Sequence, residues 1–308
     1  MTASPEIVIV GAGAIGCATA YYLARQGAKV LVMDREAIGA GASFHATGLF
    51  SPWRASSNPA LNHLFDTSLR LSQELLPRLK EETGVDTFYQ VAQGLRVALR
   101  AEQVEEGKAL AAAPGLAGAK LAYLDGEEAR RLEPRLSPRV LGALWCDRFG
   151  QVDSYRHTLA LAQAAERSGA QFQARQVTGL ERRAGKLTGL RTTTGVIPCE
   201  RAVLAMGAWS AEARDRLIEH ALSIIPSLEA AQVVGQFAGP RPQSQDGLPI
   251  MRPAPTLSGV YLNTGHGHSG ILLAAASGRH VAEMVIQGSP SLLKAEPYLP
   301  MRFVAKQQ

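Results

Sequence analysis

Cysteine is nearly absent: 3 residues in 308, Cys17, Cys146 and Cys199, an odd number with no Cys-x-x-Cys pair. Neither a disulfide framework nor a metal site is therefore expected, and a reducing, cytoplasmic setting is. Charge is sparse too, 19% against 46% apolar residues, which excludes a disordered chain and predicts a globular one with a full-sized core. The basic excess of +5 is scattered and forms no run that could track a phosphate backbone, so nucleic acid is not expected as a partner. The excess fits a protein that holds small anions, and equally a solvated basic surface. Internal repeats and an evident linker are missing, so this length implies one large or two intertwined domains. The uncharged stretch Ile7 to Ala24 is broken by three glycines and preceded by no Lys or Arg. It reads as strand, turn and buried helix rather than as a transmembrane segment or signal peptide.

What is present is concentrated at the start. Ile7 to Val10 is a β-branched run suited to a strand buried on both faces. GAGAIG follows at once, so that Gly11, Gly13 and Gly16, with Ala14 and Ile15 between them, form a dinucleotide fingerprint. The first glycine permits the tight turn, the second lets the backbone approach a pyrophosphate, and the third allows helix and strand to pack closely. A helix is predicted over Ala14–Gln26, stopping at Gly27, then a strand over Lys29–Met33 that ends at Asp34. Asp34 lies 18 residues after Gly16, about where an acidic side chain reaches the adenosine ribose hydroxyls.

Gly39 to Gly48 reads GAGASFHATG, a second small-residue loop whose backbone N–H groups can face phosphate oxygens. Near the other end lies GHGHSGILL, residues 265–273. A nicotinamide dehydrogenase has no use for these two loops. Together with Asp34-Arg35, GQVDSYRHTLALAQAAERSGA (150–170), VLAMGAWS (203–210) and AGPRPQSQDGLPI (238–250), they make the chain resemble the D-amino-acid oxidase, glycine oxidase and sarcosine oxidase family of FAD enzymes. The resemblance runs over nearly the whole length.

It implies an α/β fold: a glutathione-reductase-like, Rossmann-like FAD-binding domain with a β-meander, plus a reduced antiparallel α+β substrate domain. The expected FAD-binding domain is discontinuous, 1–85, 146–212 and 238–300; the partial substrate domain takes 86–145 and 213–237. The residues fit this frame. Asp153 to Ser168 has a cap candidate, apolar residues at helical spacing (Tyr155, Leu159, Ala162) and Gly169 as its stop. Residues 171–206 read as a strand, a meander turning at 184–186 and 194–195, and a return strand Ala202 to Ala205 that delivers Gly207. Asp86 to Trp145 holds short alternating runs (Leu95 to Leu99) and an Ala/Gly-rich loop (Ala111 to Ala119), consistent with part of a second sheet.

One part is short. Only 31 positions separate Ser210 from Arg241, where the family carries several further substrate-domain strands and, in glycine oxidases, a tyrosine facing the substrate. A helix over Glu212–Ile225 and a last strand over Ala231–Phe237 are what is left. A sheet shortened in this way is expected to expose edges.

The resemblance also assigns roles. Arg241, in AGPRP, matches the arginine that clamps the substrate carboxylate through two parallel hydrogen bonds. His268 occupies a variable position that can hold a substrate-contacting arginine. Cofactor contacts fall on Gly11, Gly13, Ala14, Ile15, Gly16, Asp34, Arg35, Ala42, Ser43, His45, Thr47, Gly48, Leu49, Val177 and Gly207, and on Gly265, His266, Gly267, His268, Ser269, Gly270, Ile271 and Leu272. In the related dimethylglycine and sarcosine dehydrogenases a histidine in a loop like Phe44-His45-Ala46-Thr47-Gly48 is bonded covalently to the flavin. The activity implied is FAD-dependent oxidation of a small amino acid or secondary amine (glycine, sarcosine or a D-amino acid) to an imine that hydrolyses to an oxo acid. Electrons pass to O2 or another acceptor, and a homo-oligomer is compatible with the sequence. The competing reading is a flavin-binding subunit or inactive short form without turnover of its own.

Overall fold

The computed structural model describes residues 5–53, 57–206, 223–230 and 242–299. Its centre is a six-stranded sheet built on β1 (Ile7–Val10), whose four residues are all buried. β1 lies between two parallel neighbours, β2 (Val30–Asp34) and β11 (Arg201–Leu204). Outside these come β7 (Gln171–Ala174), parallel to β2, and β13 (Val260–Thr264), parallel to β11. Antiparallel β12 (Ile250–Pro253) closes one edge, giving the order β12-β13-β11-β1-β2-β7.

Side chains alternate across this sheet as strand geometry requires. Ile7, Ile9, Val30, Val32 and Val203 face a helical layer made of α1 (Ala14–Ala24), α5 (Ser154–Arg167) and α6 (Gly270–Gln287). Val8, Val10, Leu31, Met33 and Ala202 face the other way, under Leu187, Leu190 and Cys199 of the meander. The meander is a three-stranded antiparallel sheet, β8 (Val177–Arg183), β9 (Lys186–Thr192) and β10 (Gly195–Pro198). α1 and α6 cross so closely at Gly278 that a Cβ there would lie 2.7 Å from the Ala18 methyl and carbonyl carbon.

The second sheet is antiparallel. β6 (Gly142–Gln151) runs through its middle, with β4 (Gln90–Ala98) along one side and β5 (Leu121–Asp125) and β3 (Leu49–Phe50) sharing the other. β4 has no partner on its outer side among the described residues, and Val91 on it is 52% exposed. Ile224 and Ile225 pack against Leu136, Val140 and Ala143 beside this sheet, and the Ile224 carbonyl accepts from Ser137 N–H at 2.9 Å.

Between the two sheets runs α2 (Pro59–Thr83). Its start is set by Asn58, which accepts from Ala60 N–H, with Pro59 in the first turn; Gly84, at φ 76°, ends it. Leu64, Phe65, Ser68, Leu69, Ser72, Leu75, Leu76 and Leu79 form its buried face at helical spacing.

Several local expectations need correction. α1 stops at Ala24, because residues 25–27 form a turn closed by Gly27 at φ 82°. In α5, capped by Asp153 as expected, the buried stripe is Ser154, His157, Thr158, Leu161, Ala162 and Ala165. Tyr155 is exposed and meets Phe44 edge-on, because the small residues of the stripe are the ones that fit against α1. Within 86–145 the sequence reading expected sheet and loop and missed α3 (Ala101–Ala111) and α4 (Gly126–Leu132). α3 has no apolar stripe to betray it: its one buried residue is Gly107, against the Tyr123 ring. Residues 212–222 of the expected helix and the strand 231–237 lie outside the described residues.

Candidate functional site

Five parallel strands end at one edge of the main sheet, at Ala174, Asp34, Val10, Leu204 and Thr264. In open α/β sheets that edge is where ligands bind. The fingerprint turn sits in its middle. Gly11 has φ 110°, and a Cβ on it would overlap the Ala205 carbonyl; one on Gly16 would overlap the Gly11 carbonyl. Both positions therefore admit only glycine, for the packing reasons the spacing suggested.

Gly13 differs. A Cβ there would have only Ser43 Oγ near it, at 3.2 Å, so the side facing outward is open. It caps α1 with no side-chain hydrogen bond. Ser43 Oγ accepts from Ala14 N–H at 3.0 Å, and Ala12 O accepts from Gly39 N–H at 2.9 Å, which brings the second glycine loop over the first. Asp34 joins them: Oδ2 accepts from Ala12 N–H at 2.7 Å and Oδ1 from Glu36 N–H at 3.0 Å. Each carboxylate oxygen keeps a second lone pair for an incoming hydroxyl. Arg35 is exposed and paired with Glu36 at 3.2 Å. Ala42, His45, Thr47 and Leu49 are exposed along the rest of the loop, and Gly48 O accepts from Val152 N–H. Val177 is partly buried against the meander core.

The C-terminal loop leaves the same edge after β13. Gly265 and Gly267 have φ 85° and 55°, and α6 begins at Gly270 behind Ser269, which makes no side-chain cap. A 3-10 turn over Gly267–Ser269 leads straight into α6, and the N–H groups at such a helix start are oriented donors for negative charge. Ile271 and Leu272 point their side chains into the core. His268 is exposed, whereas His266 is buried, with Nε2 2.9 Å from Ser277 Oγ. Burial holds the His266 ring down at about 3, so it is neutral at ordinary pH. Arg241 and Gly207 lie outside the described residues. Their neighbours are placed: Ala205 N–H donates to Val10 O, and Pro242 O accepts from Gly267 N–H at 2.9 Å.

Sequence reasoning missed the polar residues behind the loop. Asn263 Nδ2 donates to Thr19 Oγ1 at 3.1 Å and to Ser277 O at 3.4 Å, all buried. Its partner Thr19 is 244 positions away, so no local pattern could have revealed the contact.

An adenine dinucleotide with a flavin ring fits these groups: a helix start beside open Gly13, a carboxylate with spare acceptors, and a second helix start, at α6, with no side-chain cap. Among the described residues there is no cluster of His, Cys, Asp or Glu able to hold a metal, and no helix long and apolar enough to cross a membrane.

The model of one family, FAD dependent oxidoreductase (DAO), matches residues 6–216 and 210–284. The two matches overlap at 210–216, at the start of the stretch where strands were expected to be missing. Glycine oxidase of Geobacillus kaustophilus is 26% identical over 354 aligned positions, covering 92% of this chain and 94% of the relative. That span exceeds the 308 residues of this chain, so the relative carries residues this one lacks. Human mitochondrial dimethylglycine dehydrogenase is 28% identical over 221 positions, 70% of this chain and 25% of its own length. Among solved structures, glycine oxidase from Bacillus cereus superposes with a TM-score of 0.85 at 25% identity, over 95% of this chain and 100% of that one. Matched along nearly its whole described length, the chain belongs to the family of FAD-dependent oxidoreductases, and FAD is its cofactor.

Proposed function

We propose that the chain oxidises a small amine-bearing acid, such as glycine, sarcosine or a D-amino acid, to an imine, which water converts to an oxo acid and ammonia or an amine. The observation that carries this reading is the meeting at one sheet edge of the fingerprint turn, Asp34, Ser43 and the loop 265–270, with the turn after Arg241 pinned to that loop through Pro242 O. The relatives named as glycine oxidases and as dimethylglycine dehydrogenase point the same way. Bound flavin supplies the chemistry of removing two electrons and the α-hydrogen from the substrate, and O2 or another acceptor takes the electrons.

The chain's own groups do the holding. Gly13, the start of α1 and Ser43 receive the pyrophosphate, and Asp34 the ribose. Ala42, His45, Thr47, Gly48, Leu49, Val177 and Gly207 line the rest of the cofactor's path. The start of α6, Gly270 to Leu272, offers N–H donors to the charge that develops on reduction. Arg241 fixes the substrate carboxylate with a planar fork, and His268, exposed on the loop 265–270, is the next candidate for a substrate contact.

Anaerobic mixing with a panel of small amino acids tests the reading: one or more should bleach the flavin absorbance. A second reading, a flavin-binding protein without turnover, is favoured by the outer side of β4, unpaired among the described residues, and by the residues that the glycine oxidase relative carries and this chain lacks. A yellow protein that no small amine acid bleaches would replace the first reading with the second.

A further inference from the structure

Ser68 sits in the middle of α2 with its side chain fully buried. Its hydroxyl donates to the Leu272 carbonyl at 2.6 Å and accepts from Ala276 N–H at 3.2 Å. Those two groups are residues i and i+4 of α6, the partners of one rung of its hydrogen-bond ladder. A side chain from a helix more than 200 positions away is therefore set astride the backbone of α6, one turn in from the loop 265–270.

Two residues earlier on α2, Asp66 accepts from Ala117 N–H at 2.7 Å. Ala117 lies in the loop that leads into β5 of the second sheet, and its neighbour Leu116 N–H donates to Pro52 O at 2.7 Å. One helix thus grips the second sheet's loop through Asp66 and the start of α6 through Ser68. Further along, α6 is held by its close crossing with α1 at Gly278 and Ala18 and by the Ser277–His266 pair.

We propose that Ser68 is a positioning residue for the flavin, fixing the first turn of α6 so that the N–H groups of Gly270 to Leu272 are aimed at the reduced ring. This rests on the flavin reading of the loop 265–270. The O–H bonded to the Leu272 carbonyl locates the backbone of the first turn of α6, and oriented donors matter most where the charge develops. Without the hydroxyl, α6 still closes its ladder, since Ala is the strongest helix former at position 68 of α2 and Leu272 and Ala276 can bond directly. The start of α6 then relaxes away from its aimed position.

The test compares Ser68→Ala, Ser68→Thr and Ser72→Ala in the purified holoprotein, reading FAD content and the two-electron midpoint potential of the bound flavin. Ser72 is also buried, one turn further along the same face, and controls for a general loosening of α2. Ser68→Ala should keep about one FAD per chain while its potential falls, the reduction equilibrium shifting about tenfold, or about 30 mV for two electrons. Ser68→Thr, which retains the hydroxyl, and Ser72→Ala should stay at the unmodified potential. Should Ser68→Ala lose its flavin, Ser68→Cys, similar in volume but a weak donor, should show the same fall. An unchanged potential in flavin-loaded Ser68→Ala or Ser68→Cys overturns the inference and leaves the functional reading standing, as does an equal fall in Ser72→Ala or Ser68→Thr. An unmodified protein that binds no FAD overturns both.

Discussion

At Gly13 the structure offers an opening that any side chain would fill, since only Ser43 Oγ is near the place a Cβ would take. Gly13→Val should therefore abolish FAD binding while leaving the fold intact, checked by flavin absorbance and circular dichroism; full flavin content would displace the pyrophosphate from this turn. Arg241 makes a different prediction. A desolvated guanidinium–carboxylate pair is worth about 2 to 4 kcal/mol, so Arg241→Ala should raise KM by roughly one to three orders of magnitude with FAD content unchanged. Arg241→Lys should recover part of the loss, a point charge being a poor substitute for a planar fork. His45 is exposed on the loop of 39–48; if it carries the flavin covalently, acid precipitation should leave the colour with the protein and His45→Ala should release it. The fingerprint and the glycine loops were legible as local patterns, and the structure brings Gly11, Gly13, Asp34 and the loop 265–270 to one sheet edge. Ser43 as a cap on Ala14, and Ser68, Asn263 and Ser277 behind α6, were not legible at that level of detail, because their partners come from distant parts of the chain.

Elements show the same division. β1, α1 and β2 follow from a β-branched run, three glycines and an acid, and the meander turns at 184–185 and near 194–195 fall where the Ala-Gly and Thr-Gly pairs stand. α3 was hidden because it packs through Gly107 instead of an apolar stripe, so the periodicity that marks a helix in a sequence is missing there. The crossing of α1 and α6 depends on another glycine. Gly278 faces Ala18 at a distance that leaves no room for a methyl group, and the atoms in the way are largely backbone, which cannot swing aside. Gly278→Val should cost about 1 to 3 kcal/mol or more through overpacking, seen as a lower urea midpoint at unchanged slope.

For the whole molecule, the fold is that of an FAD-dependent oxidoreductase, with β4 unpaired on its outer side among the described residues. Its stability should depend on pH through three buried histidines. Burial holds His157 and His280 down at about 4 and His266 at about 3, against about 6.5 in the unfolded chain. Below about 6.5 the unfolded state binds protons that the folded state refuses, so unfolding becomes easier as the pH falls. Stability should be fully present above about pH 6.5 and decline steadily as the pH falls toward about 4. A urea midpoint that stays constant from pH 7 to pH 4.5 would show that these rings are not held neutral.

That the cofactor cradle is intact is tested most directly by the flavin content of the purified protein. The protein should be yellow, with about one FAD per chain, or should take up one FAD per chain when colourless protein is mixed with the cofactor. Protein that is colourless and cannot be reconstituted with FAD would contradict it.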